Sequence, residues 1–258
     1  MAAGGSLCRM YAAYVSEVGL AQRLHQALSR AASDDEPRGP HGDGWGYALV
    51  TPSYMSYFSS LSPIWVEGQP SPPAQPPALL IEHARQASAG AKDAARAHPI
   101  VVRTPTRLVA LAHNGTFDPG PLAAEIGFAS RRGSDSEVLA HYIASRCELL
   151  EEDDVTSCYE GVLAKVSRGS VRPTSLDSMV LYVDLELGEA SLWAVQAALK
   201  EGDYEYYTLY RASLDGGSAV VSSTLVKVLG GNYKKWSPLG GPREVAAWRV
   251  GSLRMEAR

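Results

Sequence analysis

The nine residues Leu-Cys-Arg-Met-Tyr-Ala-Ala-Tyr-Val, from Leu7 to Val15, are nearly continuous in apolar character. A strand of that kind has no polar face to turn to water, so it belongs in a sheet covered on both sides. Leu108 to Ala112 reads the same way. These strands constrain the fold more than any other feature, because each needs one layer above it and one below. Three amphipathic helices supply part of that cover. Ser16 is positioned to cap the first, whose apolar residues Leu20, Leu24, Ala27, Leu28 and Ala31 share a face. Ser134 with Glu137 three residues later is a capping box opening the second, which runs through Val138, Leu139, Tyr142 and Ile143. The third carries Val155, Tyr159, Val162, Leu163 and Val166.

The remaining pattern is strands. Trp45, Tyr47 and Leu49 alternate, and further strands are expected at Tyr54 to Ser60, Ile64 to Val66 and Ala78 to Ala84. Later ones fall at Met179 to Val183, Ala190 to Val195, Tyr204 to Tyr210, Ala219 to Ser222 and Val245 to Val250. Strands and helices do not alternate regularly, so the class is α+β: two packed sheets with helices outside. Pro70 to Pro77 holds five prolines in eight residues. It reads as an extended surface loop, since its flanks look like one continuing sheet.

Composition excludes several roles. A net charge of -4 over 258 residues, with no basic run, argues against nucleic acid as the partner. No apolar run is long enough to span a bilayer, and Met1 to Leu7 lacks the features of a secretory signal. Cys8, Cys147 and Cys158 have neither metal-ligand nor redox spacing, and their odd number suggests a reducing, cytoplasmic setting. Cys147 and Cys158 lie beside apolar helix positions and read as packing residues. His41, His83, His98 and His113 show no metal-ligand spacing, so neither a metal nor a cofactor is expected.

Cys8 carries distinctive chemistry if it heads the mature chain. A terminal amine titrates at about 7.7–8.0, next to a thiol of about 8.5, and can serve as the base for its own side chain. Within a longer chain that nitrogen is an amide and cannot. Around Cys8-Arg9, the stretches Asp43-Gly44-Trp45-Gly46, His83-Ala84-Arg85, His98-Pro99, His113-Asn114-Gly115 and Ser134-Asp135-Ser136-Glu137-Val138 follow in order. Together they resemble the class II glutamine amidotransferases, which are N-terminal-nucleophile hydrolases. Val220 to Leu225 followed by Trp236 looks like a degenerate form of that family's closing strand and turn. The Cys-Arg start and Asp-Gly-Trp-Gly segment are most similar to compact single-domain members, among them the γ-glutamyl amidase of ergothioneine synthesis.

The resemblance implies a four-layer α/β/β/α sandwich. It makes residues 8–258 one glutaminase-type domain and residues 1–7 a propeptide or a mis-assigned start. It implies Cys8 as nucleophile, with Asn114 and Gly115 as oxyanion donors. Arg85 is implied for the α-carboxylate of glutamine or a γ-glutamyl compound, Asp135 for the α-ammonium, and Ser88 for a hydroxyl contact near the substrate. Gln86 and Ala89 depart from relatives that carry Trp and His there. Any ammonia acceptor would be a separate synthase. Each residue taken alone has a plainer reading: Cys8 as a small buried hydrophobe, Arg85 in an ion pair, Asp135 as a helix cap, Asn114-Gly115 as a turn. The alternative for the whole chain is a catalytically silent protein that binds a γ-glutamyl ligand or a partner, with Cys8 blocked by residues 1–7.

Overall fold

The computed structural model describes residues 8–35, 39–66, 68–86, 97–129, 134–197, 204–230 and 235–256. The elements begin with β1 (Arg9–Val15), α1 (Val18–Ser33), β2 (Trp45–Val50), β3 (Met55–Ser60) and β4 (Ala78–Ala84). They continue with β5 (Ile100–Arg103), β6 (Arg107–Asn114), α2 (Gly120–Ile126), α3 (Asp135–Arg146) and α4 (Glu152–Val166). β7 (Asp177–Asp184), β8 (Glu189–Gln196), α5 (Tyr204–Tyr207) and β9 (Leu209–Leu214) follow. The last are β10 (Gly217–Ser222), α6 (Ser223–Val228), β11 (Ser237–Pro238) and β12 (Ala246–Arg254).

The strands form two antiparallel sheets, ordered β11-β9-β10-β1-β4-β2-β3 and β12-β8-β7-β6-β5. β1 and β6, the two near-continuous apolar strands, lie inside their sheets, as double-sided burial requires. Alternate residues of each strand enter different layers. Met10, Ala12, Leu79, Ile81, Ala110, Ala112, Met179 and Leu181 meet between the sheets. Tyr11, Ala13, Leu80 and Leu49 face outward onto Leu20, Leu24 and Leu28 of α1. Val109, Leu111, Val180 and Tyr182 face the opposite way, onto α3 and α4. The result is helix, sheet, sheet, helix.

Local signals account for most boundaries. Ser134 Oγ accepts the Glu137 backbone N–H at 3.1 Å, the serine half of the expected box. α4 has a full capping box between Glu151 and Asp154. α1, by contrast, starts one residue later than a Ser16 cap would have it: its N-cap is Glu17, without a side-chain bond. The chain there is held instead by Ser16 and Glu17 N–H groups donating to Gly216.

Three further expectations are corrected. Ile64 to Val66 is a turn, with the Val66 N–H donating to Pro63; Ile64 drops into the α1-side core without joining a ladder. Tyr204 to Tyr207 is a short helix, and the strand starts only at Leu209. Cys147 and Cys158 are not simple packing residues. They form a disulfide, with Cα atoms 5.8 Å apart, because the end of α3 and the middle of α4 converge. The cysteine count therefore stops being an argument for a reducing compartment. No helix among the described residues is long and apolar enough to cross a membrane.

Candidate active site

The strand pleat decides which polar groups meet. Met10 and Ala12 of β1 enter the layer between the sheets, so Cys8 continues that row. Leu79 and Ile81 of β4 lead in the same way to His83 and Arg85, and Ala110 and Ala112 of β6 lead to Asn114. All three rows finish at one end of the sandwich. Arg9 pairs with Ala84, which puts Cys8 next to Arg85 along the sheet. Across the gap, the Cys8 N–H donates to Asn114 Oδ1 at 3.0 Å, and Asn114 Nδ2 donates to the Cys8 carbonyl at 3.3 Å. This pair of bonds ties one sheet to the other at the sulfur-bearing residue. Cys8 Sγ lies 4.0 Å from the carbonyl of Gln86, the residue after Arg85.

Arg85 lies one residue beyond the end of β4. Its backbone is gripped from both sides: its N–H donates to Gly44 at 2.8 Å, and its carbonyl accepts from Asp43 at 3.0 Å. The side chain is buried, and Nη1 has no hydrogen-bond partner among the described residues. A buried cationic donor left without an acceptor is costly, so it marks a place suited to an incoming anion. Gly115 follows Asn114 with φ +154°, and a Cβ there would stand 2.0 Å from the Ser175 carbonyl. Only glycine lets the backbone approach that closely.

Asp135 is the first residue of α3. Its Oδ1 accepts the Ser136 N–H at 2.8 Å and its Oδ2 the Phe117 N–H at 3.3 Å, which joins the helix start to the loop after Gly115. His113 reinforces that junction, with Nδ1 2.9 Å from Ser136 Oγ and Nε2 3.3 Å from the Ser175 carbonyl. The structure thus brings Cys8, Arg85, Asn114, Gly115 and Asp135 to one end of the sandwich. Ser88 lies outside the described residues.

Four histidines near this end of the sandwich, His41, His83, His98 and His113, are all shifted toward their neutral form. Burial lowers His83 well below its ordinary value, helped by His98 and Arg85. Burial likewise pushes His98 down to about 3, with His113 and Arg85 adding to it. His113 and His41 are also lowered by burial, against the pull of Asp135 and Asp35 respectively. The two imidazoles that feel the Arg85 charge, His83 and His98, are therefore neutral near pH 7. The His83 and His98 rings pack at a tilt of 52°, with centroids 4.4 Å apart. Among the described residues, no group of three or more His, Cys, Asp or Glu is arranged to hold a metal ion.

Two acids beside this site carry no sequence signal. Asp177 stands opposite Asn114 in the β6–β7 ladder, and burial raises its carboxyl to about 8 against the N–H of Ala197 and the hydroxyl of Ser175. Asp35 sits in a Ser-Asp-Asp-Glu-Pro run that reads only as a helix stop. It is buried and accepts from Arg9 Nε at 3.1 Å, His41 Nε2 at 2.6 Å and Tyr206 Oη at 2.6 Å. Burial opposes its ionisation, but His41, Arg9 and Tyr206 together hold the carboxyl below its usual range.

Solved structures of similar shape include the glutamine phosphoribosylpyrophosphate amidotransferase of B. subtilis, complexed with ADP and GMP. It is 15% identical with a TM-score of 0.56, and the match covers 95% of this chain and 49% of that one. A structure described as the allosteric regulatory enzyme of purine biosynthesis is 17% identical with a TM-score of 0.59, again over 95% and 49%. This chain therefore spans about half the length of each. No family model matches the sequence, and no curated protein matches it.

Proposed function

We infer that this α+β sandwich of two antiparallel sheets, which shares its fold with a solved glutamine phosphoribosylpyrophosphate amidotransferase, is that of a class II, N-terminal-nucleophile amidotransferase. We propose that residues 8–258 form one glutaminase-type domain that hydrolyses the γ-carboxamide of glutamine or of a γ-glutamyl compound. In the mature chain Cys8 is the first residue, and residues 1–7 are a propeptide or lie upstream of the true start. The Cys8 amine takes the thiol proton as Sγ bonds to the amide carbon. Asn114 Nδ2 has two hydrogens, one engaged by the Cys8 carbonyl, and the second serves the oxyanion together with the Gly115 N–H. Collapse of the intermediate breaks the C–N bond, and the departing ammonia or amine takes the proton from the Cys8 ammonium. Water then cleaves the thioester, releasing the acid and restoring the thiol. Arg85 binds the α-carboxylate, Asp135 the α-ammonium, and Ser88 adds a hydroxyl contact. No cofactor enters these steps.

The observation that carries the reading is the double hydrogen bond between Cys8 and Asn114 beside the buried, unpartnered Nη1 of Arg85. The bond from Cys8 N to Asn114 Oδ1 also suits the catalytic amine, because it aims the nitrogen lone pair away from the carboxamide oxygen.

The test is ammonia release from glutamine and a panel of γ-glutamyl amides, using protein whose N-terminus has been read by intact mass. Release that disappears in Cys8→Ala supports the enzyme. A mature chain still acylated at Cys8, with no release from any amide, favours a silent γ-glutamyl-binding protein instead.

A further inference from the structure

We propose that Asp35 is a positioning residue that fixes the spacing between Cys8 and Arg85, and so sets the length of amide side chain that the site accepts. The inference rests on the amidase reading and extends it to substrate length. A substrate held at its α-carboxylate by Arg85 and attacked at its amide carbon by Cys8 is measured by the gap between those two residues. Neither lies within the β-ladder: Cys8 precedes the first paired residue of β1, and Arg85 follows the last of β4. Something outside the ladder has to hold them.

Asp35 is connected to both. On one side its carboxylate forms a two-pronged pair with Arg9, the residue after Cys8, through Nε at 3.1 Å and Nη2 at 3.2 Å. Both side chains of this pair are fully buried. On the other side it accepts from His41 Nε2 at 2.6 Å. His41 begins the short segment whose Asp43 N–H and Gly44 carbonyl bind the Arg85 backbone. One carboxylate therefore joins the nucleophile's neighbour to the loop that fixes the carboxylate-binding arginine. Tyr206 completes the joint, with its hydroxyl donating to Asp35 at 2.6 Å and its ring lying 3.6 Å from the Arg9 guanidinium carbon. The guanidinium is thus held along its edge by the acid and over its face by the ring.

Reacting atoms must be placed to within fractions of an ångström, and about 1 Å of misplacement costs on the order of 100-fold in rate. Asparagine differs from glutamine by one methylene, so a rigid spacing rejects it, whereas a loosened one lets the shorter amide reach the sulfur.

The experiment compares glutamine with asparagine in full-length wild-type protein of verified N-terminus and in His41→Gln, Tyr206→Phe and Asp35→Asn. His41→Gln keeps a donor of different reach, and Tyr206→Phe keeps the ring and removes the hydroxyl. These two stand in if Asp35→Asn fails to fold through its uncompensated Arg9. Two readouts are taken: kcat/KM for ammonia release, and protection of Cys8 from iodoacetamide by each amino acid. Wild type is expected to favour glutamine by about 100-fold, at the upper end of what one methylene supplies. The folded variants should narrow that ratio about 10-fold, with glutamine turnover falling while asparagine turnover holds or rises, rather than through a uniform loss on both amides. An unchanged ratio in variants of lowered activity overturns the proposal and leaves the amidase reading intact. If wild type releases no ammonia but glutamine protects Cys8 better than asparagine, and the variants level that difference, the spacing role stands and the amidase reading falls. If neither amino acid protects or reacts, both fall.

Discussion

Replacing Gly115 with alanine puts a single methyl group against the oxyanion turn. An ideal Cβ at that position would lie 2.0 Å from the Ser175 carbonyl oxygen, 2.6 Å from its carbon and 3.1 Å from His113 Nε2. Contacts closer than 3.0 Å are essentially never seen for a real Cβ, so something has to move by about 1 Å. Ser175 is fully buried, and its hydroxyl is engaged by the Asp177 N–H at 3.0 Å, so the strand behind it resists displacement. The backbone of residue 115 is then the part that yields, and it carries the proposed oxyanion N–H. Loss of one such donor costs about 100–1000-fold in turnover, and overpacking of this kind costs about 1–3 kcal/mol of stability. At roughly 2–4 °C per kcal/mol for a chain of this size, the melting temperature should fall by about 2–12 °C. The assay is steady-state ammonia release alongside a thermal melt. Gly115→Ala should remain folded, lose at least about 100-fold in kcat, and change KM little, because Arg85 is untouched. A folded variant with wild-type kcat would refute the assignment of this turn.

His25 belongs to α1 and reaches β4, with Nδ1 3.0 Å from Glu82 Oε1; burial lowers its pKa, but the hydrogen bond and charge of Glu82 together outweigh that and raise it. Its stabilising contribution is therefore complete below about pH 6.5 and is lost as pH rises through the higher folded value, so a urea midpoint should decline over that window in wild type and not in His25→Gln. Asp177 behaves in the opposite sense to an ordinary carboxyl: burial holds its proton on up to about 8, so the native state loses stability as pH climbs from about 4 toward 8. Asp177→Asn should flatten that slope and gain up to about 4 kcal/mol at pH 7, and an unchanged pH profile of the urea midpoint would count against it. The Cys147–Cys158 bridge closes a separation of 11 residues, worth about 2–3 kcal/mol by loop entropy, so reductant or Cys158→Ser should lower the melting temperature by roughly 5–10 °C. No shift under dithiothreitol would mean that the two sulfurs are not joined in solution.

Features that depend on local pattern were legible in the chain. Apolar spacing located α1, α3 and α4, and the near-continuous runs at Leu7 to Val15 and Leu108 to Ala112 foretold interior strands and helix cover on both sides. Motif order drew attention to Cys8, Arg85, Asn114, Gly115 and Asp135, and those residues do converge, although their roles remain a proposal. Features created by tertiary contact were hidden. Tyr204 to Tyr207 has strand-forming residues, yet Tyr206 has to cover Arg9 while Tyr204 bonds the Gly240 carbonyl, and a helical turn satisfies both. Cys147 and Cys158 gave no framework signal because their pairing is set by how two helices meet. Asp35 looked like a helix stop because its partners Arg9, His41 and Tyr206 are scattered along the chain.

The Cys8–Asn114 clasp has a consequence for how occupancy of the pocket would be felt. The residue that would become acylated also fastens the two halves of the protein at that edge. Any adduct on the sulfur therefore pulls on a seam of the fold itself. Covalent inhibitors should then register in amide-exchange rates along β1 and β6, far beyond the atoms they touch, which gives a way to find reactive ligands without knowing the natural one.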